Sequence, residues 1–175
     1  SCGAVNAPIS TFTYKAVAST ATTKGGDWEV VFYQKTAIRD GGLASNPWLQ
    51  ELPDPISKVT WDNYITMNPV QMEKMGYVTT FDQEHGLNLA TVTVNGQKIT
   101  LPVYPQPGQA FNTVGIALGY GRGANGENIG KAAFQSAENG SFQMDASGNM
   151  TPVGANVFPW AVGVGSHVEY AQYDI

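Results

Sequence analysis

Hydrophobic and polar residues alternate over residues 28–36, WEVVFYQKT, where several positions are β-branched or aromatic. Alternation with a period of two is typical of a strand, and this one is predicted to lie inside the sheet. The pattern returns in LATVTV and QKITLPVY, which flank Asn95-Gly96. Because Asn-Gly is a preferred two-residue hairpin turn, these segments are predicted to pair. Residues 111–121, FNTVGIALGYG, predict a buried strand that runs into glycines.

A short helix is predicted after TWDNYITMNP. Asn68 is a suitable N-cap, Pro69 suits the first helical position, and Gln71 has the spacing of a capping box. Gly76 is expected to end the helix in the left-handed conformation. The side chains predicted to face the core are Val70, Met72 and Met75.

Residues 44–64, ASNPWLQELPDPISKVTWDNY, predict neither a helix nor a strand, because three prolines remove backbone donors and favour extended geometry. Disordered segments are poor in aromatic residues, so we expect an ordered loop. We also expect an exposed apolar patch near residues 43–64 and expect partner domains or the chain itself to cover Trp48 and Trp61.

The composition favours a mainly β fold. The chain has 20 glycines and 10 prolines, and only 13% of its residues are charged, against roughly 25% in a typical domain. We expect a loose leading segment over residues 1–27 and one domain over residues 28–175. The net charge of −5 and the lack of a basic cluster argue against a nucleic-acid partner. No apolar run is long enough to predict a membrane span.

Few residues suggest catalysis or metal binding. His85, His167 and Cys2 are too scattered in the sequence to predict a metal site. Residues 145–149, DASGN, predict a turn, since a calcium loop also needs a later glutamate. No G-x-S-x-G motif is present. The acid pairs Glu51 with Asp54 and Asp82 with Glu84 are assigned structural or solvated roles.

GYGRGANG, residues 119–126, follows a predicted strand, as phosphate-binding glycines do. A dinucleotide fingerprint also needs a following helix and a later acid, which this segment lacks. The glycines permit close approach to a phosphate or to another chain, and Arg122 is the natural partner for an anion.

Several of these segments together resemble a known family. WEVVFYQKTAIRDGG, NPWLQELPDPISKVTWDNYITMNP and LPVYPQPGQAFNTVGIALGYGR are similar, in this order, to the C-terminal dinucleotide-binding-type domain of the molybdopterin oxidoreductase superfamily. The resemblance covers about residues 28–160. It is closest to the iron–sulfur, molybdopterin-like large subunit of bacterial alternative complex III, and it implies a double-psi β-barrel with a few short helices.

The resemblance also implies a site. In relatives that carry a cofactor, this domain closes over a molybdopterin guanine dinucleotide. The positions that match the cofactor cleft are Asp40, Gly41, Gly42, Asn46, Trp48, Gly154 and Asn156, with Arg122 as a further phosphate partner. The chain departs from the family after the short helix, where MGYVTTFDQEHGLNLATVTV lacks the usual Gly-Asp pair.

The expected function is that of a domain in a larger subunit, which packs against other domains and against membrane and haem-containing subunits of a respiratory, quinol-oxidising complex. The implied location is the periplasmic face of the bacterial cytoplasmic membrane. The domain itself is expected to be a non-catalytic scaffold without a cofactor. One alternative is half of the cofactor site of an active polysulfide- or tetrathionate-type molybdenum reductase. Another is a ligand- or carbohydrate-binding β module.

Overall fold

The computed structural model describes residues 27–80, 88–94, 97–123, 131–160 and 170–173. In these residues the protein is mainly β, with a mixed sheet that curls into a half-barrel and a few short helices. The predicted loose segment lies almost entirely outside the described residues, as do Cys2, His85 and His167.

Six strands form one sheet in the spatial order β3-β4-β2-β5-β1-β6. Their bounds are Trp28–Tyr33 (β1), Ile65–Met67 (β2), Leu89–Val94 (β3), Gln97–Pro105 (β4), Thr113–Ala117 (β5) and Tyr170–Tyr173 (β6). β1 is parallel to β5 and antiparallel to β6, and β2 is parallel to β4 and antiparallel to β5. The first strand therefore lies inside the sheet as predicted, although it ends at Tyr33 instead of residue 36.

The predicted hairpin is confirmed. β3 and β4 are antiparallel and Val94 pairs with Gln97; residues 95 and 96 themselves lie outside the described residues. The DASGN turn is also confirmed, because the Asp145 amide donates to the Asn149 carbonyl at 2.8 Å.

The main core lies on one face of the sheet. Alternate residues of β1 and β5 are buried there, including Val30, Phe32, Val114 and Ile116. Trp160, which lies in a 3-10 helix over Phe158–Trp160, packs against this core.

Two short α-helices are present, α1 over Pro47–Glu51 and α2 over Pro69–Lys74. The α1 helix corrects the prediction of an entirely irregular loop. Pro47 occupies a first-turn position, where no donor is lost. The Asn46 side chain accepts a hydrogen bond from the Trp48 amide at 3.0 Å. A local cap therefore permits one helical turn among the prolines.

The α2 helix begins as predicted, with the Asn68 side chain accepting from the Val70 and Gln71 amides. Gly76 follows the helix with a φ of 81°. Met72 is fully buried, whereas Val70 and Met75 are about half exposed, so the prediction for those two was wrong. A six-residue helix presents only a narrow stripe to the core. Gln71 does not complete a capping box: its side chain bonds the Asn112 amide at 2.8 Å instead.

Candidate functional site

Two of the predicted site segments meet through their glycines. A Cβ atom on Gly41, which has a φ of 88°, would lie 2.6 Å from the Gly119 carbonyl oxygen and 2.9 Å from Cδ of Arg122. A Cβ on Gly119 would lie 2.7 Å from the Arg39 carbonyl oxygen. Only glycine permits backbone contact this close. The structure thus brings the DGG turn against the glycine segment that follows β5.

The third predicted segment joins the same region. The Gly121 amide donates to the Val153 carbonyl at 2.8 Å. A Cβ on Gly121 would lie only 2.1 Å from the Asn156 amide nitrogen, and one on Gly154 would lie 2.9 Å from Cβ of Tyr120. We call the meeting of residues 39–42, 119–122 and 153–156 the glycine junction.

Asn63 holds the glycine junction together and was not identified from the sequence. Its side chain is fully buried. Its amide nitrogen donates to the carbonyls of Ala117 at 3.0 Å and Ala155 at 2.9 Å, and its oxygen accepts from the Ala155 amide at 2.9 Å. One side chain therefore links residues 44–64, which we call the proline loop, to the end of β5 and to residues 154–156. The available signal was a polar residue directly before the buried segment YITM.

The other predicted site residues have local roles. Asp40 is exposed and accepts a hydrogen bond from the Gly42 amide at 3.0 Å. Asn46 caps α1. The Trp48 side chain is 81% exposed, so this chain does not bury it, and its cover by partner domains stays a prediction. Asn156 accepts a bond from the Phe158 amide at 3.0 Å.

Backbone strain is concentrated in the same part of the molecule. Among the described residues, four non-glycine residues have positive φ, and three of them are Arg39, Lys58 and Trp61. Such conformations cost about 1–3 kcal/mol each and persist only where surrounding contacts enforce them. The DGG turn and the proline loop are therefore held in shape by tertiary contacts.

A buried lysine lies below the proline loop. Lys35 is only 5% exposed, and its ammonium group lies 4.1 Å from the centre of the Tyr64 ring and 5.3 Å from that of Tyr120. It also donates to the Asp62 carbonyl at 3.2 Å. Aromatic faces attract cations, so the two rings partly replace the lost hydration.

Burial lowers the pKa of Lys35 to about 8, and the Asp54 and Asp62 carboxylates offset only part of that effect. Burial also raises the pKa values of Tyr33 and Tyr120 well above their ordinary value. Residues with perturbed pKa values mark candidate functional sites. The visible signal for Lys35 was its two-residue spacing from Tyr33 in the alternating strand pattern.

Two pockets flank this cluster. A pocket of about 210 Å³ is lined by Lys35, Asp54 and Tyr120 together with prolines of the loop. A larger one of about 360 Å³ lies on the face of the sheet opposite the main core. Its walls are formed by Val31, Tyr33, Asp54, Ile56, Ser57, Tyr64, Thr66, Gln106, Gln109, Thr113 and Gly115. We call the larger one the tyrosine pocket.

Among the described residues, no three His, Cys, Asp or Glu side chains are close enough to hold a metal ion. No helix in the described part of the chain is long and apolar enough to cross a membrane.

Comparison with known proteins adds no assignment: no protein-family model matches the sequence, and no curated protein matches it.

Proposed function

We propose that this chain is the C-terminal, dinucleotide-binding-type domain of a molybdopterin-oxidoreductase-like iron–sulfur subunit, in which it serves as a non-catalytic scaffold. The subunit belongs to a respiratory complex that oxidises quinol at the periplasmic face of the bacterial cytoplasmic membrane. Its neighbours there are the other domains of the same subunit and the membrane and haem-containing subunits. The double-psi barrel is the finer form of the fold that we propose.

The fold and the glycine junction support this proposal. The curled mixed sheet with few helices is compatible with a barrel of that type. The DGG turn, the GYGR segment and the GANV segment, which lie far apart in the sequence, meet at one place. The resemblance assigns the DGG and GANV segments to the cofactor cleft, and the GYGR segment contains Arg122, the predicted phosphate partner. Their convergence is the expected arrangement if the resemblance extends to the tertiary structure.

The use of the backbone amides favours a scaffold over a working cofactor site. A phosphate site needs amide N–H groups that point outwards. The Gly41 amide donates to the Ile38 carbonyl at 3.0 Å, and the Gly42 amide donates to Asp40. The Gly121 amide is bonded to the Val153 carbonyl. With these donors used internally, the junction as it stands does not fit a dinucleotide phosphate.

Exposed apolar side chains near α1 supply a surface for neighbouring domains. Leu43, Trp48, Leu52 and Ile56 are between 46% and 81% exposed, which agrees with the expected apolar surface in residues 43–64. Large exposed apolar residues within one segment are typical of an interaction surface. A scaffold domain needs such a surface more than it needs catalytic groups.

The two alternatives have weaker support. An active molybdenum reductase requires donors at the junction that are here internally bonded. A carbohydrate-binding module requires a row of exposed aromatic rings. Trp48 is exposed, but one ring does not make a row. Trp61 is half-buried and packs beside the core cluster that contains Ile38 and Tyr120.

The deciding experiment is metal and pterin analysis of the complete subunit purified from its native membrane. We expect iron without molybdenum, tungsten or an oxidised-pterin fluorescence signal. Near-stoichiometric molybdenum or tungsten together with pterin would replace the scaffold with the reductase. A subunit that lacks iron as well would contradict the electron-transfer assignment.

A further inference from the structure

Two exposed methionines lie in a hairpin formed by residues 143–151, which we call the methionine hairpin. The side chain of Met144 is 56% exposed and that of Met150 is 38% exposed. Neither of them belongs to the two core clusters. Methionine is among the residue types most often buried in proteins, so packing in the core does not account for this pair.

The backbone places the two side chains directly opposite each other. Met144 and Met150 form an antiparallel bridge. The Thr151 amide donates to the Gln143 carbonyl at 2.8 Å, and the amide that follows Met144 donates to the carbonyl that precedes Met150 at the same distance. Because these bonds flank the bridge, the methionines form a non-hydrogen-bonded pair. The two Cα atoms of such a pair lie only about 4.5 Å apart, and the side chains project from the same face.

One side chain holds the turn that joins the two arms of the methionine hairpin. The Asp145 carboxylate accepts hydrogen bonds from the Ser147 amide at 2.8 Å and from the Asn149 amide at 2.9 Å. The Gly148 amide donates to the Asp145 carbonyl at 3.1 Å. These bonds fix the separation of the two arms, so a ligand that contacts both methionines has less to order when it binds.

The methionine hairpin is also attached to the rest of the domain. The Gln143 amide donates to the Gln135 carbonyl at 3.0 Å. The ring of Phe142 packs edge-on against the ring of Phe134, which is 8% exposed, with 6.3 Å between the ring centres. Phe142 precedes Met144 by two residues and therefore shares its face. The methionine pair thus lies beside an anchored aromatic pair.

We propose that Met144 and Met150 bind one soft monovalent metal ion, such as copper(I), between their two sulfur atoms. Thioethers are polarisable donors that select copper(I), whereas hard cations such as Mg²⁺ prefer oxygen ligands. Soft monovalent ions accept two sulfur ligands, and the unbranched methionine side chain is flexible enough to turn its sulfur towards the other. This inference does not depend on the proposed scaffold function.

Silver(I) is the probe, because it is a soft monovalent ion that keeps its oxidation state during a titration in air. The protein is the full 175-residue chain with Cys2→Ser, since a thiolate would compete for the metal. Its methionine methyl groups are labelled with ¹³C, so the five methionines of the chain each report binding. We expect the signals of Met144 and Met150 to shift together and to stop shifting once silver(I) equals the protein in concentration.

Met75 is the control within the same titration. Its side chain is 49% exposed, but its neighbour on the helix, Met72, is fully buried. Met75 therefore offers one accessible thioether and cannot chelate the ion together with Met72. We expect its signal to shift only at silver(I) concentrations at least about tenfold higher, because binding to a second linked ligand increases the overall affinity.

Leucine substitutions test whether the two sulfur atoms act together, because leucine keeps the apolar volume and lacks the thioether. Met144→Leu is expected to weaken the response of Met150 to the level of Met75, and Met150→Leu is expected to do the same to Met144. Met75→Leu, the matched control, is expected to leave the response of the pair unchanged. The signals of the buried Met67 and Met72 show whether each variant keeps its core.

Three results would overturn the proposal. The first is that Met144 and Met150 do not respond to silver(I). The second is that Met75 responds at the same silver(I) concentration as the pair, which would make the binding a property of any exposed thioether. The third is that Met150 responds unchanged in the Met144→Leu protein, which would show that the two sulfur atoms do not share one ion.

Discussion

Replacement of the buried Lys35 by methionine is expected to stabilise the protein at pH 7. A methionine fills nearly the same space without a charge that must be desolvated. The pKa of Lys35 falls from 10.5 to about 8, and each pKa unit corresponds to about 1.4 kcal/mol. The charged form is thus disfavoured in the folded state by about 3 kcal/mol. Loss of the contacts with Tyr64 and Tyr120 costs about 0.5–2 kcal/mol, so the expected net gain in the free energy of unfolding is about 1–2.5 kcal/mol.

The pH dependence gives a more specific signature. Between pH 8 and pH 10.5 the unfolded state keeps the lysine proton and the folded state loses it. Stability therefore rises with pH in that window, by about 1.5 kcal/mol between pH 8 and pH 9.5. Tyr33 and Tyr120 act in the opposite direction: their pKa values are raised on folding, so their contribution is complete below pH 10 and is lost above it. We expect maximal stability near pH 10 in the parent.

The assay is urea denaturation from pH 7 to pH 10, with the free energy of unfolding obtained at each pH. Lys35→Met is expected to remove the rise between pH 8 and pH 9.5. Lys74→Met is the control, because Lys74 is exposed and its ammonium lies 5.1 Å from the centre of the Phe111 ring. That variant is expected to keep the rise. A Lys35→Met protein that is less stable than the parent at pH 7, or that still gains stability over this window, would refute the reasoning.

Three further predictions follow from the glycine junction and the exposed apolar surface. Gly121→Ala is expected to cost more than 3 kcal/mol in the free energy of unfolding, because its Cβ would lie 2.1 Å from a backbone nitrogen. Gly148 also has positive φ, but nothing lies near the position of its Cβ, so Gly148→Ala is expected to cost about 1 kcal/mol. Equal costs for the two variants would show that the Cβ of residue 121 does not collide with the backbone. Asn63→Ala is expected to cost roughly 3–5 kcal/mol in the same denaturation assay, since three buried backbone groups lose their partner, and a cost below 1 kcal/mol would contradict its linking role. Trp48→Ser is expected to leave stability unchanged but to reduce co-purification of the other subunits. Phe158→Ser, the control, is expected to leave co-purification intact. Equal recovery of the other subunits with both variants would show that Trp48 is not part of the proposed interface.

The local elements were predictable from the sequence. Asn68 and Pro69 start α2 because a cap side chain and a fixed φ act within three residues. The hairpin around residues 95–96 follows from turn chemistry and strand alternation. The mainly β class follows from the same alternation. In each case the decisive interaction lies within a few positions along the chain.

Other features required the tertiary structure. The burial of Lys35 between Tyr64 and Tyr120 depends on residues up to 85 positions away, and the alternating pattern around Tyr33 does not identify these two partners. Asn63 contacts Ala155 across 92 positions. A short sequence pattern contains no information about such partners. The close approach of Gly41 to Gly119 and Arg122 likewise joins segments that lie far apart in the sequence.

The sequence by itself therefore determined the strands, the capped helix and the turns, whose energies depend on neighbouring residues. The tertiary structure alone decided which polar groups are buried, which amides at the glycine junction are already bonded, and where the tyrosine pocket opens. The physical reason is that desolvation and close backbone approach depend on distances between segments that are remote along the chain.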